Sequence, residues 1–127
     1  MRSASLIAAA AAAAAFAAAS AAQDAAPVEY RVTLENAAHH EARISMTLRD
    51  AEGPVAFRMS RSSPGRYAIH EFAKNVYDVR AEGPDGEPLQ IVRDDPYSWD
   101  VIEHDGEITL TYTLFADRAD GTYSAID

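Results

Sequence analysis

The segment His70-Glu71-Phe72-Ala73-Lys74 comes nearest to a catalytic motif in this sequence. A zinc peptidase of the His-Glu-x-x-His type holds its metal between two histidines on one helical face, and the glutamate acts as general base. Lys74 stands where the second histidine is required, and a charged lysine has no lone pair to offer a metal. The surrounding residues also leave no room for a long helix. We therefore predict no metal site at His70.

The remaining histidines stand in predicted turns. His39 and His40 are adjacent, and neighbouring side chains on extended backbone point to opposite sides, so they cannot readily chelate one ion. Together with Glu41 they could form a weak metal site, but a polar turn with one histidine packed or capping is the favoured interpretation. His104, which follows Glu103 in another turn, receives the same interpretation.

The sequence also lacks a recognisable motif for a catalytic nucleophile and a glycine-rich phosphate-binding loop. Ser60, Ser62 and Ser63 lie near one another but not in a Gly-x-Ser-x-Gly elbow. The sequence has no cysteine, and its carboxylates are too scattered to suggest an acid/base pair. From the residues alone we predict no catalytic residue, no metal ligand and no cofactor in this chain.

The segment Pro64-Gly65-Arg66-Tyr67 is of interest for binding rather than catalysis. Pro64 and Gly65 fit the two central positions of a type II turn, where proline fixes φ and glycine accepts a positive φ. Arg66 and Tyr67 would then project from a rigid loop. Arg66 could bind a carboxylate through two parallel hydrogen bonds, and Tyr67 offers contact area and a hydroxyl. The alternative, which the residues alone favour, is a structural corner whose tyrosine plugs the end of the domain.

Apolar and polar residues alternate along most of the chain, and this period of two is typical of β-strands. Asp85-Gly86 and Asp105-Gly106 separate such runs and supply the positive φ of tight hairpin turns. At most one turn of helix is expected, over Glu71–Asn75. The sequence predicts an all-β fold, a single antiparallel β-sandwich of about seven or eight short strands. The runs cover residues 30–35, 42–49, 55–59, 76–81, 89–92, 99–102 and 108–116.

Residues 1–22 have the features of a secretion signal. Arg2 is followed by an alanine-rich apolar run over residues 6–16, and Ser20-Ala21-Ala22 offers the small residues that a signal peptidase reads. A retained membrane anchor is the alternative, but the run is shorter than the roughly 20 residues that a span needs. We therefore expect an exported domain over residues 23–127, with no membrane contact after cleavage.

The charge balance narrows the classes of partner. The chain has 11 basic and 20 acidic side chains, and removal of Arg2 with the signal leaves 10 basic residues and a net charge of −10. This balance argues against nucleic acid, whose phosphates require a basic surface, and against an anionic membrane. Without cysteine, the domain must rely on its apolar core alone.

Several of these segments resemble the N-terminal domain of the glycyl aminopeptidase family of zinc metallopeptidases, which are bacterial enzymes. The resemblance is strongest over Ser63-Pro64-Gly65-Arg66-Tyr67-Ala68-Ile69 and Glu71-Phe72-Ala73-Lys74-Asn75-Val76. It includes Tyr30-Arg31-Val32 with the His39-His40 turn, Asp85-Gly86-Glu87-Pro88-Leu89, Trp99-Asp100-Val101, Leu110-Thr111-Tyr112-Thr113-Leu114-Phe115-Ala116 and Ala125-Ile126-Asp127. The resemblance thus covers nearly all of residues 23–127.

This resemblance implies an accessory role. In the family, the β domain precedes a helical catalytic domain with a His-Glu-x-x-His zinc site, and the enzyme releases N-terminal glycine or alanine from peptides. No zinc ligand or catalytic residue falls on this chain, and His70 stands where arginine is expected. The secretion signal over residues 1–22 adds the expectation of a periplasmic or secreted location in a bacterium. Because Asp127 falls about where the catalytic domain would begin, we expect the sequence to be a fragment or a truncated gene product.

Two hypotheses follow. In the first, the chain is a non-catalytic domain that walls the substrate cleft of a catalytic domain C-terminal to Asp127, with the loop containing Arg66 and Tyr67 nearest the cleft. In the second, it is a free-standing periplasmic immunoglobulin-like module for binding or adhesion. The first predicts a sizeable exposed apolar patch where the catalytic domain docks, and the second predicts none.

Overall fold

The computed structural model describes residues 28–63, 65, 67–119 and 122–126. These residues form eight strands and two short 3₁₀ helices, Ala37–His39 and Phe72–Asn75, so the predicted all-β fold is confirmed. The proposed signal at residues 1–22 lies outside the described residues. The strands are β1 (Glu29–Asn36), β2 (Glu41–Leu48), β3 (Val55–Arg58), β4 (Val76–Glu82), β5 (Pro88–Leu89), β6 (Ile91–Val92), β7 (Ser98–Val101) and β8 (Ile108–Phe115).

The strands form two antiparallel sheets. The larger has the order β1-β2-β8-β4-β5, and the smaller has the order β3-β7-β6. Strand β8 therefore lies at the centre of the larger sheet, paired with β2 on one side and β4 on the other. Among the described residues, no helix has the length and apolar character that crossing a membrane requires.

Alternation along β8 explains how the larger sheet is oriented. Ile108 and Leu110 point to the inner face and are buried, whereas Thr109 and Thr111 point outward. The outer hydroxyls bond across the strand pair: Thr109 lies 3.0 Å from Thr47, and Thr111 lies 3.0 Å from Ser45. One face of the sheet is thus apolar and the other is a polar surface, as a two-residue period predicts.

The core lies where the smaller sheet covers the inner face of the larger one. Ala81, Val101, Ile108 and Leu110 form its buried cluster, with exposed fractions of 0–2%. Burial of a side chain such as Leu110 contributes about 1.5–3 kcal/mol. Half-buried side chains from β3, β4, β5 and β6 pack around this cluster, namely Val55, Phe57, Val79, Leu89 and Ile91.

The run predicted as one strand over residues 89–92 is two strands in the structure. Leu89 pairs with Ala81 in the larger sheet, and Ile91 pairs with Val101 in the smaller sheet. The chain therefore passes from one sheet to the other at Gln90. A pattern of alternating residues cannot reveal this crossing, because both short strands present apolar side chains to the same core.

Candidate functional site

The loop between β3 and the second 3₁₀ helix carries the binding residues predicted from sequence. Gly65 has a φ of 76°, the positive value that the second central position of a type II turn requires. Pro64 and Arg66 lie outside the described residues, so the turn type and the role of Arg66 stay predictions. Tyr67 and Ile69 are strongly exposed. Tyr67 therefore does not plug the end of the sandwich, and its ring is available to a partner.

The base of this loop is closed by local hydrogen bonds. The backbone N–H of His70 donates to the carbonyl of Arg61 at 2.9 Å. Ser60 Oγ donates to the carbonyl of Ser62 at 2.8 Å and accepts from the Ser62 N–H at 3.2 Å. The guanidinium carbon of Arg61 also lies 3.8 Å from the centre of the Tyr97 ring. These contacts hold one side of the loop base against the segment that leads into β7.

An aromatic cluster holds the other side of the loop base. The His70 ring lies 5.3 Å from that of Phe72 and 5.9 Å from that of Tyr123, and the Phe72 and Tyr123 rings are 5.0 Å apart. Lys74 Nζ lies 4.9 Å from the centre of the Tyr123 ring. The segment that most resembled a zinc motif is therefore part of a packing cluster, in which Lys74 makes a cation–π contact.

His40 links the first hairpin to the C-terminal segment. It adopts a left-handed conformation, with φ of 58°, and its carbonyl accepts a hydrogen bond from the N–H of Ala116 at 2.7 Å. Its Nδ1 lies 2.7 Å from the carbonyl oxygen of Ile126, and its Nε2 lies 3.7 Å from Asp117 Oδ1. Because a carbonyl only accepts, Nδ1 carries the hydrogen of the bond to Ile126. His40 therefore has the structural role that the sequence favours for one histidine of the His39-His40 pair.

His104 has a comparable role at the opposite hairpin. Its Nδ1 accepts a hydrogen bond from the N–H of Gly106 at 3.0 Å, so Nε2 is the nitrogen that donates to the carbonyl of Gly53 at 2.7 Å. The imidazole joins the turn before β8 to the turn before β3. Its two nitrogens are thus both used in holding turns together.

The described residues do not fit a zinc ion. Among residues 28–63, 65, 67–119 and 122–126, no group of three or more histidines and carboxylates is placed to hold a metal. His70 packs against the rings of Phe72 and Tyr123, and Lys74, at the position of the missing ligand, lies over the Tyr123 ring. The zinc implied by the sequence resemblance has no site among these residues, and no reaction step is assigned to them.

The inner face of β1 is an exposed apolar surface in the described part of the chain. Its apolar residues Tyr30, Val32 and Leu34 are 63%, 58% and 54% exposed. Tyr30 and Val32 pair directly with Met46 and Ile44 of β2, so these side chains share the inner face. The smaller sheet leaves Val32 and Leu34 more than half exposed.

A narrow apolar crevice of about 220 Å³ opens between the sheets beside this strand, and Tyr30, Phe57, Met59, Trp99 and Tyr112 are among its lining residues. Tyr112 is only partly buried there. Burial raises the pKa of its phenol above the ordinary value, and the nearby Tyr30 raises it further. The crevice joins Tyr30 of β1 to Met59, the first residue of the loop that follows β3.

The two antiparallel sheets define an all-β domain. Residues 29–127 match the Peptidase M61 N-terminal domain, and the chain belongs to this family. The fold is similar to that of an aminopeptidase N family protein from Idiomarina loihiensis, with a TM-score of 0.68, 21% identity and 72% of this chain covered. The matched region spans 16% of that protein's chain. No curated protein matches this chain.

Proposed function

We propose that this chain is a non-catalytic N-terminal domain of an exported zinc aminopeptidase, and that it walls one side of the substrate cleft. The observation that carries the proposal is the match of residues 29–127 to the N-terminal domain of a peptidase family. In this proposal the zinc and the catalytic residues belong to a separate catalytic domain C-terminal to Asp127, and the substrates are peptides with N-terminal glycine or alanine.

The projecting loop supports a role at the cleft. Its base is held on both sides, by the stack of Arg61 on Tyr97 and by the cluster of His70 with Tyr123. Tyr67 nevertheless remains fully exposed. An aromatic ring on a rigid base can contact a peptide at little cost in conformational entropy. We propose that Tyr67 and Arg66 contact the part of a peptide substrate that extends beyond the scissile bond.

The free-standing binding module receives less support. That hypothesis expects no exposed apolar face, yet Tyr30, Val32 and Leu34 on β1 are all more than half exposed. Exposed apolar patches of this kind mark sites of protein–protein contact. The exported location, inferred from residues 1–22, remains part of the proposal.

Steady-state kinetics of the full-length peptidase with the Tyr67→Ala and Arg66→Ala substitutions test this function. We expect KM to rise for glycyl peptides of several residues and to stay unchanged for a glycine derivative with a small leaving group, which cannot reach the loop. Tyr67→Phe, which keeps the ring, and Ile102→Ala, at an exposed position elsewhere, are the controls. If Tyr67→Ala and Arg66→Ala leave peptide kinetics and stability unchanged, the proposed cleft role is wrong.

A further inference from the structure

The β1 strand has an apolar face that nothing among the described residues covers. Tyr30, Val32 and Leu34 are 54–63% exposed, whereas Ile108 and Leu110, on the same inner face of the sheet, are 0% and 2% exposed. The strand thus alternates apolar and polar residues as a half-buried strand does, but its apolar side chains are exposed. We refer to Tyr30, Val32 and Leu34 as the β1 face.

The geometry of the two sheets explains why the β1 face is open. The smaller sheet packs over Ala81, Ile108 and Leu110, which lie on β4 and β8. Two strands, β2 and β8, separate β1 from β4 in the larger sheet. At the edge of this packing, Tyr30 lines the crevice between the sheets together with Phe57 and Trp99. A second covering layer is needed to bury the β1 face.

This layer is expected to cover the face of β1 rather than to extend the sheet. The pairing of β1 with β2 shifts register between Thr33 and Asn36. Such a bulge twists an edge strand and hinders the addition of another strand. A second copy of the chain would also bring together two molecules of net charge −9. Both features disfavour a dimer formed through β1.

We infer that the β1 face is the surface on which the peptidase part of the same protein docks, through apolar side chains of its own. The inference rests on the proposed function. The matched region spans only 16% of the chain of the similar solved protein, so most of such a protein lies outside this domain. The β1 face is also continuous, through the crevice, with Met59 at the root of the projecting loop. A layer seated on β1 therefore borders the loop that we propose flanks the cleft.

Adjacent residues of β1 provide a matched pair of variants for the full-length peptidase. Val32→Asp places a charge on the β1 face, and Thr33→Asp places the same charge on the opposite face, directly across from Arg43. Limited proteolysis at the junction after this domain and calorimetric unfolding are the measurements. We expect Val32→Asp to speed cleavage at the junction by about tenfold or more, which corresponds to the loss of about 1.4 kcal/mol of coupling between the domains. In calorimetry, the two domains of this variant should unfold in separate transitions. Thr33→Asp should match the unsubstituted protein.

Equal behaviour of the two variants would overturn the inference. If Val32→Asp prevents folding, Leu34→Ser on the same face provides the second test, with the same expected release. Light scattering tests the alternative that a second copy of the chain occupies the β1 face. If Val32→Asp dissociates a dimer while the two domains stay coupled, the β1 face is a dimer contact and the inference is refuted. Neither the cleavage nor the unfolding measurement depends on activity. A full-length protein that releases no N-terminal residues would refute the proposed function and leave the docking result standing.

Discussion

His40 Nδ1 lies 2.7 Å from the carbonyl oxygen of Ile126, a residue 86 positions further along the chain. The contact connects the turn after β1 to the segment that follows β8. Around it, the N–H of Ile126 donates to the carbonyl of Ala116 at 2.8 Å, and Asp117 and Ala125 form a single antiparallel bridge. The His40 imidazole and these backbone contacts together hold the C-terminal segment against the sheet.

Replacement of His40 should loosen this segment. Asparagine tolerates the left-handed backbone at this position, but its side chain is too short to reach Ile126. We expect His40→Asn to lower the free energy of unfolding by about 1 kcal/mol and to accelerate hydrogen exchange at the Ile126 amide. His39→Asn, at an exposed neighbour, is the matched control. Unchanged exchange at Ile126 in the His40 variant would show that the imidazole does not hold the segment.

Alanine substitution of two isoleucines compares the stability contribution of a core position with that of a surface position. Ile108 is fully buried beside Val101, whereas Ile102 is half exposed. We expect Ile108→Ala to cost about 2–5 kcal/mol, because it removes buried methyl groups and leaves a cavity, and Ile102→Ala to cost less than about 1 kcal/mol. Urea unfolding of both variants measures the difference. Similar losses of unfolding free energy in the two variants would contradict the assignment of Ile108 to the core.

Partial burial of Tyr112 predicts a loss of stability at alkaline pH. Its folded-state pKa is raised above the ordinary tyrosine value of about 10. Between that value and the folded pKa, the unfolded chain binds fewer protons than the folded chain, so the free energy of unfolding falls as pH rises. We expect Tyr112→Phe to flatten this fall. Urea unfolding of the variant and the unsubstituted protein between about pH 9 and about pH 11 checks this expectation. An equal slope in the Tyr112 variant would contradict the expectation.

Local chemistry made the strands and hairpins predictable from sequence. The alternation from Ile108 to Ala116 specifies both a strand and its buried side, and the structure buries Ile108, Leu110 and Ala116. The Asp-Gly pairs specify turns, and Gly86 and Gly106 have φ of 76° and 99°. In each case the decisive interactions lie within a few residues of one another.

Interactions between distant residues could not be predicted in the same way. Nothing near Tyr123 indicates that its ring meets His70, and nothing near His40 indicates Ile126 as its partner. The alternation of β1 is as regular as that of β8, yet one strand is exposed and the other buried. Alternation with a period of two indicates which side chains share a face of the sheet, but it does not indicate whether another layer covers that face.

The position of β8 has a consequence for how the domain is made. This strand follows the other seven in the chain, yet it is the central strand of the larger sheet. Until it is synthesised, β2 and β4 have no common partner, and each presents an open backbone edge beside an apolar face. Interruption of synthesis before Ile108 would therefore leave the β1–β2 and β4–β5 pairs without the strand that joins them, with open edges prone to association with other chains. The larger sheet therefore cannot form as a whole until its final strand arrives, and that strand completes the sheet from the middle.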